Sequence, residues 1–206
     1  MPGAGGLVPF PPAFCTMIRN LVAISGTAVL LGSISALGCA ATGVGDPCTP
    51  ETEYDPTFAG FDLKEVNVES KSFQCQTRVC LVNHFQGRTS CPYGGTNCTV
   101  PGTDKHPTDS AGAPIDIKVA CSNRSPQKAV YCSCRCANVE GRSDDGANYC
   151  KCGDGYTCTQ LVGAVGTTQL GLTGAYCIKA GTAYSDDDSC VSCDPTKKDC
   201  GSENGK

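Results

Sequence analysis

The sequence is poor in the residues that most often carry catalysis. It has no tryptophan and only two histidines, His84 and His106, in 206 residues. His84 falls in a strand-like run and His106 in a loop rich in proline, aspartate and glycine, so both are interpreted as ordinary strand or surface residues. No G-x-S-x-G, H-E-x-x-H or Walker sequence is present, and no C-x-x-C-H run that would attach a c-type haem. We therefore predict no catalytic residue and no cofactor.

Positive charge is also scarce. The chain has 16 Lys and Arg against 20 Asp and Glu, a net charge of −4, which offers no basic surface for nucleic acid. Two acidic runs, 143–146 and 185–189, offer carboxylate oxygens to Ca²⁺, but neither has the regular ligand spacing of a calcium-binding loop. We interpret both as solvated acidic turns and predict no metal site.

Large hydrophobic side chains are few, whereas cysteines are many. From Cys39 onward, 31 of 168 residues are Leu, Ile, Val, Phe or Tyr, and the whole chain contains 18 cysteines. Disulfides usually supplement so small a core, each contributing about 2–4 kcal/mol. Period-2 alternation occurs in residues 79–85, 115–121 and 129–136, with turn-forming segments between them. These patterns predict a small, disulfide-rich fold that is mainly β with extensive loops.

The N-terminal part of the chain has the layout of a secretory signal. Arg19 is the only charged residue among the first 45, and the uncharged run 21–37 follows it, as an apolar h-region follows a positive n-region. A transmembrane helix needs about 20 apolar residues and basic residues behind it, whereas segment 38–50 has no lysine or arginine. We therefore favour a helical signal peptide over a membrane span.

The signal ends in Ser35-Ala36-Leu37-Gly38-Cys39, which resembles the lipobox of bacterial lipoproteins. In that family the peptide is cut just before the cysteine, whose sulfur carries a diacylglycerol. The resemblance therefore implies lipidation of Cys39, with acyl chains such as palmitate. Ordinary signal peptidase is the alternative, because Ala36-Leu37-Gly38 is also a small-x-small site for cleavage at the same bond.

Cysteine parity favours lipidation. Residues 1–16 are uncharged and rich in proline and glycine, so we predict translation from Met17, which removes Cys15. Cleavage then leaves 17 cysteines, and lipidation of Cys39 leaves 16, enough for eight disulfides. The disulfide candidates are Cys48, Cys75, Cys80, Cys91, Cys98, Cys121, Cys132, Cys134, Cys136, Cys150, Cys152, Cys158, Cys177, Cys190, Cys193 and Cys200.

The most unusual run, Cys132-Ser133-Cys134-Arg135-Cys136, places three sulfurs on one face of a strand. Alternate residues of a strand lie about 6.6 Å apart with parallel Cβ directions, which opposes a disulfide between neighbours in the run. We predict three different partners, making this strand a hub of the disulfide network. The alternative is a metal-binding or thiol-redox cluster here or at Cys190-Val191-Ser192-Cys193. That C-x-x-C pair lacks the second pair of a zinc site and the helical context of a thioredoxin-like site.

Residues 150–158, Cys-Lys-Cys-Gly-Asp-Gly-Tyr-Thr-Cys, resemble the C-x-C-x-x-G-[YF] core of EGF-like modules. Cys158 comes sooner after Tyr156 than in that family. The resemblance implies a compact disulfide-bonded hairpin, in which Gly155 eases a tight turn.

Together these patterns predict a lipid-anchored protein of the bacterial cell envelope without enzymatic activity. The outer membrane is favoured over the inner membrane. Its predicted partners are the membrane, through the lipid, and an unknown envelope protein or glycan, but not nucleic acid. One continuous domain is the alternative to two cysteine-rich modules. The predicted segments are an upstream stretch (1–16), a signal peptide (17–38), a flexible tether (39–57), a β module (58–136) and a loop and hairpin module with a polar tail (137–206).

Overall fold

The computed structural model describes residues 43–162, 172–187 and 189–194. The predicted signal peptide, Cys39 and Cys200 lie outside these residues. Within them, no helix is long and apolar enough to cross a membrane. The helical elements there include one α-helical turn, α1 (Pro126–Ala129), and 3₁₀ turns at Glu51–Tyr54 and Ser122–Arg124. The described chain is small, mainly β and rich in disulfides, which confirms the predicted fold class at that level.

The first sheet contains β1 (Val66–Glu69), β2 (Val79–Asn83) and β3 (Val130–Ser133) in the order β1-β2-β3, with both pairs antiparallel. Valine occurs in all three strands, as expected because β-branched side chains pack well on a pleated surface. β2 lies in the centre, and its residues from Cys80 to Asn83 are buried. A buried strand in the middle of a sheet explains why residues 79–83 are mostly apolar on both faces.

The second sheet contains β4 (Arg135–Ala137), β5 (Tyr156–Val162) and β6 (Gly174–Lys179) in the antiparallel order β4-β6-β5. Only Cys134 separates β3 from β4, so the chain passes directly from one sheet into the other. The predicted boundary between modules, at residues 136 and 137, falls inside β4.

Side chains of the two sheets form three buried layers. Successive residues of β6 alternate between two of them, as the period of a strand requires. The layer that joins the sheets contains Leu81, Tyr131, Tyr176 and Ile178. The outer layer on the first sheet includes Cys48, Phe61, Cys75, Cys80, Val82, Phe85, Val130 and Cys132. The outer layer on the second sheet contains Cys134, Cys136, Ala137, Ala175 and Cys177.

Residues 43–57 belong to the folded body, so the prediction of a flexible tether over 39–57 is wrong for them. The Gly45 N–H donates to the Cys132 carbonyl at 2.7 Å, and the Cys132 N–H donates to the Asp46 carbonyl at 2.8 Å. Cys48 forms a disulfide with Cys80, and Glu53 is fully buried. The polar, proline-containing composition is that of a linker, but long-range bonds hold this segment on β3.

Residues 115–121 form no strand, although their alternation predicts one. Ile117 forms an isolated bridge with Gly95, and Cys121 forms another with Ser192. Ile117 and Cys121 are nevertheless buried, as the alternation indicates. A strand needs a neighbour of similar length, and each partner here supplies one residue.

Candidate functional site

The three cysteines of the hub run are each bonded to a different partner. Cys132 pairs with Cys75, Cys134 with Cys150, and Cys136 with Cys158. The prediction of three separate partners is confirmed. The first of these bonds lies in the outer layer of the first sheet, and the other two lie on the second sheet.

Every cysteine among the described residues takes part in a disulfide. The remaining pairs connect segments that are distant in the chain or close a short turn, and Cys193 is disulfide-bonded as well. These pairs are Cys48–Cys80, Cys91–Cys98, Cys121–Cys190 and Cys152–Cys177.

Sulfur atoms of different disulfides lie in contact on the outer side of the second sheet. The Cys177 sulfur is 3.7 Å from that of Cys134 and 3.6 Å from that of Cys150, although its own partner is Cys152. A surface cleft of about 570 Å³ borders this cluster. Residues lining the cleft include Cys136, Tyr149, Cys150, Lys151, Cys152 and Cys158.

Three groups of three sulfurs lie within 4.8 Å of one another and have the geometry to hold a metal ion. Two of the groups lie on the second sheet, and the third is on the first sheet. A metal requires thiolate sulfur, and in the structure these sulfurs are in disulfides. Metal binding at these groups would therefore need prior reduction. The groups are Cys134, Cys150 and Cys177; Cys136, Cys152 and Cys158; and Cys48, Cys75 and Cys132.

The C-x-x-C pair does not form its own disulfide. Cys190 bonds to Cys121, and the Cys193 sulfur lies 3.4 Å from the carbonyl oxygen of Pro92. Cys190 thus connects the C-terminal segment to the body through a disulfide, and the Cys193 N–H donates to the Ala120 carbonyl at 3.1 Å.

The segment that resembles an EGF-like core does contain a tight turn. Gly155 has φ +81°, a conformation that costs other residues free energy, and the Tyr156 N–H donates to the Gly153 carbonyl at 3.2 Å. After this turn, β5 pairs with β6. The expected role of Gly155 is confirmed, whereas the hairpin partner is β6 and lies outside the segment 150–158.

His84 lies just after β2 and leaves the strand geometry with φ +54°. Its ring stacks on Tyr184, with centroids 4.0 Å apart, and its Nδ1 lies 3.1 Å from the Leu63 carbonyl oxygen. Burial lowers the pKa of His84 below its usual value, and the guanidinium of Arg124 lowers it further; the Leu63 hydrogen bond and Asp186 act in the opposite direction. The strand-like run predicted for residues 79–85 therefore ends at Asn83, before His84.

Arg124 explains why this corner of the molecule is ordered. It is 4% exposed, and its guanidinium donates to the carbonyl oxygens of Asn83, His84 and Thr182 at 2.6, 2.7 and 3.1 Å. Its carbon lies 5.5 Å from the centroid of the Tyr184 ring. One buried cation therefore joins its own segment to residues 83–84 and to Thr182, an arrangement typical of structural support. No motif in the sequence indicated it.

The other histidine and the acidic runs are local features of turns. His106 is exposed, and its Nδ1 lies 2.6 Å from the Cys98 carbonyl oxygen. Hydrogen bonds from the Tyr149 hydroxyl and the Asn138 amide lower the pKa of Asp145 to about 2. Asp144 pairs with the exposed Arg142. The carboxylates of the run 143–146 thus stabilise their own turn.

One exposed aromatic residue stands out among the described residues. Phe73 is 88% exposed, whereas the other large hydrophobic side chains at the surface range from 39% to 58%. It lies in the loop between β1 and β2, with the Arg78 guanidinium carbon 4.3 Å from its ring centroid. Sequence reasoning missed this residue, because exposure of a single phenylalanine has no local signal.

No family model, curated protein or solved structure matches this chain.

Proposed function

We propose that the chain is a lipid-anchored protein of the bacterial cell envelope whose disulfide-bonded β domain has a binding or structural role. A helical signal peptide over residues 17–38 directs export, and cleavage before Cys39 makes this cysteine, whose sulfur carries the lipid, the first residue of the mature chain. Two or more acyl chains anchor a protein stably, while one chain binds a membrane only marginally. We place the protein in the outer rather than the inner membrane, because Ala40 differs from the aspartate typical of inner-membrane retention.

The pairing of the cysteines is the observation that carries the proposal. All 15 cysteines among the described residues are in disulfides, a state that persists in oxidising compartments and is rare in the cytosol. Cys39 lies outside the described residues and is the cysteine that the lipobox resemblance assigns to acylation. If Cys39 carries the lipid and forms no disulfide, the even number of 16 cysteines after it can all be paired.

A binding or structural role suits a body of this construction. Covalent bonds hold loops such as 91–98 and 134–150 in place at modest cost in hydrophobic residues. A surface of fixed loops serves contact with an envelope protein or a glycan, since little conformational entropy is lost on binding. We expect no catalysis.

The intact mass of the native protein tests the proposal. Membrane-extracted protein is alkylated without prior reduction and weighed, with a Cys39→Ala variant as the matched control. We expect a chain that starts at Cys39, carries acyl groups and has no alkylated thiol, while the variant stays unacylated. An unacylated wild-type chain would refute the anchor.

A metal-binding or thiol-redox protein is the second candidate, and the contact cluster of Cys134, Cys150, Cys152 and Cys177 favours it. Thiol–disulfide exchange requires a thiolate beside a disulfide sulfur, and these four sulfurs already lie together. Several alkylated cysteines in the same mass spectrum, or zinc bound at a stoichiometric ratio, would support this candidate. A fully oxidised, metal-free protein would count against it.

A further inference from the structure

The loop between β1 and β2, residues 70–78, presents an aromatic residue between two cations. Its only charged side chains are Lys71 and Arg78, both exposed, and Phe73 is 88% exposed. The Arg78 guanidinium lies over the Phe73 ring. An aromatic ring flanked by cations is the combination that binds at the interface of an anionic membrane.

The loop holds Phe73 in a fixed position. The Ser72 N–H donates to the Arg78 carbonyl at 3.0 Å, and the Arg78 N–H donates to the Cys75 carbonyl at 2.9 Å. Cys75 is bonded to Cys132 in β3. Because the loop is closed by hydrogen bonds and fixed by a disulfide, the fold itself determines that the Phe73 side chain is exposed.

The same loop lies against the segment by which the chain enters the body. A Cβ atom added to Gly43 would lie 3.0 Å from the Gln76 Cβ. The Gln74 side chain accepts a hydrogen bond from the Thr49 N–H at 3.0 Å and donates one to the Thr49 carbonyl at 2.7 Å. The 70–78 loop therefore borders the first described residues, which lead back to Cys39.

The distance from the anchor to this loop is short. Cys39 and Gly43 are four residues apart in the sequence, and an extended chain covers about 14 Å over that length. The headgroup region on one side of a bilayer is roughly 5–8 Å thick. A lipid on Cys39 thus brings the 70–78 loop to the membrane surface.

We propose that the 70–78 loop is a membrane-contact surface, in which Phe73 inserts at the interface while Lys71 and Arg78 contact anionic headgroups. The proposal rests on lipidation of Cys39, the proposed function above. The partner is the surface of the bilayer that holds the anchor. Contact at this loop would orient the domain, with β2 running from Val79 near the membrane to Asn83 farther away.

Single-tryptophan fluorescence tests the proposal, because the chain has no tryptophan of its own. Full-length protein carrying Phe73→Trp is reconstituted into vesicles of phosphatidylethanolamine and phosphatidylglycerol, with brominated acyl chains as quencher. Val191→Trp is the matched control: Val191 is 58% exposed and accepts a hydrogen bond from the Ser122 N–H. It adjoins Cys190, which Gln86 contacts beyond the Asn83 end of β2.

We expect blue-shifted emission and strong quenching for Phe73→Trp, with little of either for Val191→Trp. Adding Lys71→Gln and Arg78→Asn should weaken insertion by roughly fivefold for each cation on anionic vesicles. Lys64→Gln, at the other end of β1, is the charge control and should have no effect.

Each other outcome overturns the proposal in a distinguishable way. If Phe73→Trp is no more quenched than Val191→Trp in protein whose mass shows acylated Cys39, the contact surface is refuted and the anchor stands. If Cys39 carries no lipid, both proposals fail. A blue shift that appears without vesicles and grows with protein concentration would assign the loop to a second copy of the chain.

Discussion

Removing the Cys75–Cys132 disulfide should cost more stability than removing Cys91–Cys98. The two bonds close loops of 57 and 7 residues. The entropy of loop closure in the unfolded chain gives about 4.2 kcal/mol for the first and about 2.4 kcal/mol for the second. Shortening the larger loop through Cys91–Cys98 changes its value by only about 0.1 kcal/mol, because the dependence on length is logarithmic.

Packing acts in the same direction as chain entropy. Cys75 and Cys132 are 2% and 0% exposed in the outer layer of the first sheet, so replacing both with alanine also removes core contacts. Cys91 is only partly buried, whereas its partner Cys98 is 4% exposed, so one cysteine of the short-loop pair loses core contacts against two of the other pair. The double-alanine variant at Cys75 and Cys132 should therefore lose at least about 2 kcal/mol more than the one at Cys91 and Cys98.

Urea unfolding of the oxidised variants measures this difference. Each variant is first shown by alkylation to have no free thiol, so that rearranged disulfides are excluded. The free energies extrapolated to water are compared, because removing a cross-link also changes the slope against urea. Equal losses, or a larger loss for the short loop, would refute the argument from loop length and burial.

Three further changes probe single positions. Burial lowers the pKa of His84, so as the pH falls the unfolded chain binds this proton before the folded chain does. The free energy of unfolding should therefore fall as the pH drops below about 6.5. The fall should be smaller in His84→Asn, a variant chosen because asparagine tolerates the positive φ at this position. In urea unfolding, Gly45→Ala should lower the free energy of unfolding by about 1–3 kcal/mol more than Gly95→Ala does. Both glycines have positive φ, but only at Gly45 would the new Cβ meet another side chain. Equal losses in the two variants would contradict this prediction. Glu53→Gln should cost about 2–3 kcal/mol, since its buried carboxylate accepts from two backbone N–H groups and an amide turns a donor toward them. The exposed Glu51→Gln is the control, and a similar loss there would count against the assignment.

Local patterns in the sequence predicted some of the fold. Alternation over residues 79–85 indicated a strand, of which residues 79–83 form β2, and the spacing of Cys132, Cys134 and Cys136 indicated three separate partners. Both inferences use only the two-residue period of a strand. The first held because a strand was present. In the second, the three partners were confirmed but the single strand was wrong: β3 ends at Ser133 and β4 begins at Arg135, so Cys132 lies in a different layer from Cys134 and Cys136.

Other features depend on residues that are far away in the sequence. Residues 115–121 have the alternation of a strand but meet single residues, Gly95 and Ser192. The segment 43–57 has the composition of a linker, yet Cys48 finds Cys80 across 32 residues. Neither the partner of a strand nor that of a cysteine can be read from the segment itself.

The same limit applies to the candidate sites. The exposure of Phe73 follows from the closure of the 70–78 loop, and the burial of Arg124 follows from three carbonyl groups of two distant segments, residues 83–84 and Thr182. In the sequence each is an ordinary residue in a polar stretch. Only the assembled fold shows that Phe73 is exposed to solvent and that Arg124 joins separate backbone segments.

The distribution of cysteines among the three buried layers explains how so few aliphatic residues suffice. The layer between the sheets has no cysteine among its buried residues and relies on Leu81, Ile178 and two tyrosines. The two outer layers have a single covering sheet each and contain the buried disulfides. A layer between two sheets is shielded from water by both of them, whereas a layer covered by one sheet needs loops on its other side, which disulfides hold in place. The buried cysteines of the two sheets are thus concentrated in the outer layers, so we expect the outer faces, including the loop with Phe73, to be the parts of this protein that depend most on an oxidising environment.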